Sequence, residues 1–248
     1  MAGATWTLGR LFGIRVAVHA TWLAVYAFVT FALAREIGLP LGALCALALF
    51  AGVVAHEFAH ALVARRFGVR TDAVTLFLFG GVATLECEPP TPAAEILIAL
   101  AGPALSALLG LAAFSGLLAL ERLVPGSGDG PLGTAGAYLA LANGVLAVFN
   151  LVPAYPMDGG RVLRALLWHA RRDRARATRI AARAATAFAR LFVAAGVFVT
   201  AATHNWTYGW YVAVGAFLLR QSWTDERSAR AETLASPNRR DLETGAAA

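Results

Sequence analysis

The residues with the clearest chemical potential form the segment His56-Glu57-Phe58-Ala59-His60. Two histidines four residues apart on a helix differ by about 400° of rotation and roughly 6 Å of rise, so they share one face. Both imidazoles can then bind one Zn²⁺, and the Glu between them is placed to take a proton from an attacking water. The alternative is a polar contact between helices. Function is favoured, because three ionisable side chains are costly to place inside an apolar helix.

A catalytic zinc needs a third protein ligand and an open position. Asp158 is the only carboxylate between Asp129 and Asp173, and it follows an uncharged run over Leu132–Met157. An Asp-Gly-Gly sequence by itself also suits a turn or a helix cap. Asp158 is therefore the candidate third ligand, on the condition that the fold brings it to the same membrane depth as the histidines.

The composition places these residues in a membrane protein. Hydrophobic residues make up 58% of the 248, and charged residues only 15%. A bilayer span needs about 20 mostly apolar residues. We predict a mainly α-helical, polytopic membrane protein with about six transmembrane helices, which are Val16–Ala34, Leu39–Ala64, Ile96–Leu120, Gly133–Pro153, Ala184–Thr203 and Trp206–Leu219. The first run is longer than a signal-peptide core of about 7–15 residues, so we predict an uncleaved helix.

The distribution of positive charge along the chain indicates how the protein is oriented in the membrane. The net charge of +6 comes from arginine alone. A soluble basic protein would suggest nucleic acid, but these arginines lie between apolar blocks, and no nucleic-acid partner is expected. With a cytoplasmic N-terminus, 19 arginines fall on the inner side and only Arg35 and Arg122 outside. The positive-inside rule then predicts a multi-pass protein of the cell membrane with both termini cytoplasmic. His56, His60 and Asp158 fall in the same leaflet.

The segment Val74–Leu85 is apolar but too short to cross the bilayer. Two β-favouring runs flank Gly80-Gly81, which predicts a short β-hairpin turning at the glycines. We interpret it as re-entrant from the cytoplasmic side, because backbone at membrane depth must be paired or face a protein cavity. The alternative is a buried connection without a role.

Taken together, these motifs resemble the site-2 protease family of intramembrane zinc metalloproteases, which is peptidase M50-like. The histidine segment matches the family's zinc-binding helix. Asn150, Pro153 and Asp158-Gly159 match its second motif. Phe79-Gly80-Gly81 and Ala101-Gly102-Pro103 resemble its flanking segments. The resemblance covers roughly Leu11–Leu219.

The resemblance implies a zinc metalloendopeptidase with Zn²⁺ as its cofactor. His56, His60 and Asp158 would be the metal ligands, and Glu57 the general base. Asn150 would contact the substrate backbone or the developing oxyanion; the alternative is a polar group that satisfies backbone freed by Pro153. The hairpin at Gly80 and Gly81 could accept the substrate as an added strand. The expected partners are the lipid bilayer and single-pass transmembrane substrates, such as anti-sigma factors or signal-peptide remnants, cut in regulated intramembrane proteolysis.

Residues 1–220 are predicted to be one metalloprotease domain, and residues 221–248 a polar cytoplasmic tail. The tail is too short for a CBS pair and no loop would hold a PDZ domain, so a compact form is expected. The alternative function is a zinc-binding membrane scaffold or a metal transporter. Transport would predict ionisable residues on both sides of the metal, and the outer halves of the predicted helices have almost none.

Overall fold

The computed structural model describes residues 4–77, 80–85, 87–155, 157–205 and 208–220, with the backbone alone at 80 and 82–85. It comprises two compact units, which are described separately; the first reaches Leu151 and the second begins at Val152. The predicted tail, 221–248, lies outside the described residues, and the predicted domain boundary at 220 stays a prediction.

The first unit combines a small sheet with four long helices. Its elements are β1 (Thr5–Leu11), β2 (Ile14–His19), α1 (Ala20–Ile37), α2 (Leu39–Arg66), β3 (Thr71–Phe77), β4 (Gly80–Leu85), α3 (Pro92–Leu123) and α4 (Pro131–Asn150). The second unit is helical. Its elements are α5 (Asp158–Arg171), α6 (Arg174–Thr203) and α7 (Gly209–Arg220).

The helices confirm the predicted mainly α-helical membrane architecture. Five of them, α1 to α4 and α6, are long and apolar enough to cross a membrane, and α7 is a shorter apolar helix. Among the described residues there are therefore five long helices, where about six spans were expected. Helix α5 was not predicted, because its sequence alternates arginines with apolar residues and so lacks a continuous apolar run.

The first helix begins later than predicted. Residues 16–19, assigned to it from the sequence, belong to β2 instead. Part of this strand packs inward, since Ile14, Ala17 and Val18 are buried and Arg15 is exposed. Helix α1 starts where His19 accepts a hydrogen bond from the Thr21 backbone N–H through its Nδ1, at 3.2 Å. An N-cap of this kind satisfies a backbone donor of the first helical turn.

The predicted hairpin is present, and it is half of a four-stranded sheet with the order β1-β2-β3-β4. Strands β1 and β2 are antiparallel around Phe12-Gly13, whose φ angles of 52° and 82° are both positive. Two-residue hairpin loops favour such angles, because they match the strand twist. Strands β2 and β3 are parallel, joined through α1 and α2, and β3 and β4 are antiparallel.

The position of the hairpin turn differs from the prediction. Gly80 and Gly81 were expected to form the turn, but they begin β4, where they pair with Phe77 and Leu76. The connecting residues, 78–79, lie outside the described part of the chain. A glycine inside a strand often marks the close approach of another group, and at Gly81 that group is a side chain of α2.

The sheet packs against the C-terminal half of α2. Buried Ile14 and Val74 meet Phe58 and Ala61 in one apolar cluster. The Arg65 guanidinium also donates a hydrogen bond of 2.6 Å to a backbone carbonyl in the β1–β2 turn. These contacts place the strands beside the helical turn that carries the histidine segment.

Candidate metal centre

The two histidines of α2 face one point. Their Nε2 atoms are 3.1 Å apart, and both side chains are buried, with 2% of His56 and 4% of His60 exposed. Zinc–nitrogen bonds are about 2.0–2.1 Å long, so one ion can reach both atoms only if they lie within about 4 Å. The histidine spacing predicted from the sequence therefore produces a geometry that fits a shared metal.

The other ring nitrogens are held by α3. His60 Nδ1 lies 2.7 Å from the carbonyl oxygen of Ile98. A carbonyl can only accept, so Nδ1 carries the proton and the Nε2 lone pair faces the metal position. His56 Nδ1 lies 2.9 Å from the hydroxyl of Ser106.

Gly102 keeps the space in front of the histidines open. A Cβ there would overlap His60 Nε2 and lie 2.6 Å from His56 Nε2. A side chain at this position would therefore fill the space in front of the two Nε2 atoms that a shared ion needs. Ile98, Gly102 and Ser106 recur at spacings of four along the buried face of α3. This face therefore supplies both the opening and the ring partners.

Glu57 lies beside the sheet. A Cβ at Gly81 would come within 2.6 Å of the Glu57 Cγ and 3.3 Å of its Oε1. Because Gly81 has no side chain, the backbone of β4 lies directly against the side chain of the candidate base. Gly80 and Gly81 were predicted from the sequence to bind substrate. In the structure, Gly81 lies next to Glu57.

In the second unit, Asp158 is the first residue of α5 and is buried, with 7% exposed. Its carboxylate lies at the positive end of the helix dipole, which stabilises negative charge. The preceding turn is compact, since Met157 N–H donates to the Ala154 carbonyl at 3.0 Å. Gly160 permits this fold, because a Cβ there would lie 2.6 Å from the Tyr155 nitrogen.

Asn150 ends α4 three residues before Pro153. Its side-chain Nδ2 donates a hydrogen bond of 2.9 Å to the Leu146 carbonyl in its own helix. The Asn150 amide NH₂ is therefore hydrogen-bonded within α4. The substrate contacts assigned to Asn150, Gly80 and Gly81 stay predictions.

The donor set fits zinc. His56 and His60 in the first unit and Asp158 in the second are all buried, and each side chain offers one atom of a kind that binds a metal ion. Two imidazole nitrogens with one carboxylate oxygen form a ligand set found in catalytic zinc sites. Together with the opening at Gly102, this makes the residues present compatible with Zn²⁺.

Sequence reasoning missed Ser106 and the Ile98 carbonyl. The available signal was the position of Ser106 in the apolar stretch of α3, one helical turn after Gly102. A backbone carbonyl leaves no signal in a sequence, because every residue has one.

Comparison with known proteins agrees with this arrangement. The model of peptidase family M50 matches residues 44–126 and 130–192. The Synechocystis protein sll0528 is 35% identical over 235 residues, covering 90% of this chain and 60% of that protein. Rip3 of Mycobacterium tuberculosis is 42% identical over 201 residues, covering 77% and 50%. Both names contain the words zinc metalloprotease. The chain thus spans about half to three fifths of the length of these relatives.

A solved structure gives the same fold. The site-2 protease from Methanocaldococcus jannaschii matches with a TM-score of 0.62 and 28% sequence identity, over 90% of this chain and 95% of that one. The resemblance inferred from the motifs is confirmed. With its apolar helices and a histidine–aspartate group compatible with zinc, the chain is a multi-pass membrane protein that belongs to peptidase family M50.

Proposed function

We propose that this chain is a zinc metalloendopeptidase that hydrolyses peptide bonds of membrane-spanning proteins. The observation that carries the proposal is the pair of buried histidine Nε2 atoms, 3.1 Å apart, on the apolar helix that also bears Glu57. A structural histidine pair would need neither the intervening carboxylate nor the opening at Gly102. Both are what peptide hydrolysis requires.

Each residue has a distinct role in this proposal. His56, His60 and Asp158 hold the metal. Zinc, when bound, polarises the scissile carbonyl and lowers the pKa of water. Glu57 takes a proton from the attacking water and later passes it to the leaving amine. Asn150 holds the substrate backbone through the part of its amide that α4 does not use.

The substrate must be presented as an extended chain. A helix ties its carbonyls into hydrogen bonds with the residues four positions on, so the scissile bond is reached only after local unwinding. Unwound backbone in lipid needs hydrogen-bond partners. Strand β4 is an edge strand among the described residues and lies against Glu57. Addition of the substrate to β4 would satisfy its backbone beside the base.

The proposed setting is the cell membrane, with both termini in the cytoplasm and the hairpin entering from that side. The 19-to-2 distribution of arginines supports this orientation. The proposed substrates are single-pass transmembrane proteins, with anti-sigma factors and signal-peptide remnants as candidates, and the proposed process is regulated intramembrane proteolysis.

A metal transporter or zinc-binding scaffold receives less support. Transport needs successive sites along a route. In the described part of the chain, the only group of three or more His, Cys, Asp or Glu residues that could hold a metal ion is the one at His56.

The test is co-expression with candidate single-pass proteins, comparing the wild type with Glu57→Gln. We expect cleavage by the wild type and a loss of about 10²–10⁴-fold in the variant, since general-base catalysis contributes that much. Zinc content should not change, because the ligands remain. Full activity in Glu57→Gln would contradict the mechanism.

A further inference from the structure

The two histidines differ in the groups that hold their second nitrogens. His60 is held by the Ile98 carbonyl, which accepts and never donates. His56 is held by the Ser106 hydroxyl, which does both. The proton of His60 is therefore fixed on Nδ1, whereas the partner of His56 accepts either neutral form of the ring.

This difference matters because the two Nε2 atoms, 3.1 Å apart, must both present lone pairs to a shared ion. The Ile98 carbonyl enforces that form at His60, since it can only accept. The Ser106 hydroxyl permits the same form at His56 when it accepts from Nδ1.

A shared ion sets the form of the His56 ring. The ring must carry its proton on Nδ1, because Nε2 supplies its lone pair to the ion. The Ser106 hydroxyl, 2.9 Å away, then accepts from Nδ1 and fixes the orientation of the ring.

We propose that Ser106 is a positioning residue that orients His56 for zinc by accepting a hydrogen bond from its Nδ1, while the Ile98 carbonyl holds His60 in the binding form. The inference rests on the proposed metal site. Ser106 is fully buried, with 0% exposed, and lies on the same helix face as Gly102. Its hydroxyl is thus directed at the ring by the helix rather than by a flexible loop.

The test measures metal binding directly. Purified, detergent-solubilised protein is titrated with zinc against a competing chelator, and with Co²⁺ followed by its visible absorption. We expect Ser106→Ala to weaken zinc binding by about 10–100-fold, the usual cost of losing a hydrogen-bond partner of a ligating histidine. The Co²⁺ bands should also change, because the ring is no longer fixed.

Two further variants separate positioning from packing. Ser106→Thr keeps the hydroxyl and should restore most of the zinc affinity. Ser115→Ala removes an exposed hydroxyl from the same helix and should bind zinc as the wild type does. If Ser106→Thr does not fold, the Co²⁺ spectrum of Ser106→Ala decides the question.

Unchanged zinc affinity and unchanged Co²⁺ bands in Ser106→Ala would overturn the inference, and so would equal weakening in folded Ala and Thr variants. Failure of the metal site itself gives a different result. In that case His56→Ala, included in the same series, would bind zinc as tightly as the wild type.

Discussion

At the scale of single residues, the candidate site depends on side chains that are absent as much as on those present. Gly102 leaves open the position that faces both histidine Nε2 atoms, and Gly81 lets β4 approach Glu57. Neither glycine needs a positive φ angle, so conformational freedom does not explain them. Close approach does, and each can be tested by adding one methyl group.

Gly102→Ala should abolish metal binding. The new Cβ would overlap His60 Nε2, so the rings must turn away and the ligand geometry is lost. We expect zinc affinity to fall by at least about 100-fold, with cleavage falling in parallel. Zinc titration of the purified variant measures the effect.

Gly116→Ala is the matched control on the same helix, since a Cβ there would meet nothing within 4 Å. It should bind zinc normally and gain slightly in stability, because alanine favours helix by about 1 kcal/mol. Tight zinc binding by Gly102→Ala would show that the space before the histidines is not the metal position.

Residue-level prediction from the sequence had a clear limit. The candidates His56 and His60 were identifiable because ionisable residues are rare in apolar helices, and Asp158 because it is the only carboxylate between Asp129 and Asp173. Ser106 is equally buried. Serine occurs in membrane helices for many reasons, however, so its position in the sequence does not indicate a role. Its role became visible only when the distance of 2.9 Å to His56 was known.

At the scale of elements, the sheet positions the base and offers an edge. Strand β4 pairs with β3 on one side, and the sheet packs on α2 through Phe58, the residue after Glu57. An extended substrate paired with β4 would therefore lie alongside Glu57 without any movement of the helix. In the proposed function, strand β4 would thus hold the substrate next to the catalytic base.

Gly81→Ala should impair cleavage without removing zinc. The added Cβ would lie 2.6 Å from the Glu57 Cγ, so the carboxylate or the strand must shift. We expect cleavage to fall by roughly 10–100-fold, the range that a displacement of about 1 Å can cost. Cleavage of one transmembrane substrate, assayed alongside zinc content, measures this.

Zinc content is the internal control, because the proposed metal ligands are other residues of α2 and α5 that the Gly81→Ala change is not expected to displace. A variant that loses zinc and activity together would show that β4 supports the metal site rather than the base. Unchanged cleavage would remove the reason to place the substrate on this strand.

The sequence predicted the β3–β4 hairpin but not its partners. Residues 16–19 of β2 were absorbed into the first apolar run, because Val16, Ala17 and Val18 are all apolar. An apolar segment that continues into a helix gives no boundary by hydropathy alone. The break depends on His19, whose side chain caps α1, and a histidine is not a usual capping residue.

At the scale of the whole molecule, the sequence predicts how the chain is oriented in the membrane. The lengths of the helices do not determine this orientation. Arginine asymmetry favours an even number of spans. Helix α7 has 12 residues, however, and rises only about 18 Å against a hydrocarbon core of about 30 Å. Whether the chain crosses the membrane at α7 determines the side of the C-terminus.

Reporter fusions at Ser127 and at the C-terminus should report opposite sides of the membrane. Ser127 lies in the loop between α3 and α4, where the Glu121 carboxylate accepts backbone N–H groups at 2.8 and 2.7 Å. We expect the Ser127 fusion outside and the C-terminal fusion inside. The same side for both would mean that α7 does not cross, and the six-span topology would be wrong.

Removal and return of zinc is the measurement that tests the central claim most directly. Purified protein is reconstituted with a transmembrane substrate, stripped with a chelator and then titrated with zinc while cleavage is followed. Cleavage should stop in the stripped protein and return in proportion to added zinc, reaching a plateau at about one ion per chain, the number that one ligand set of two histidines and a carboxylate can hold. Undiminished cleavage by protein shown to be free of metal would contradict the account.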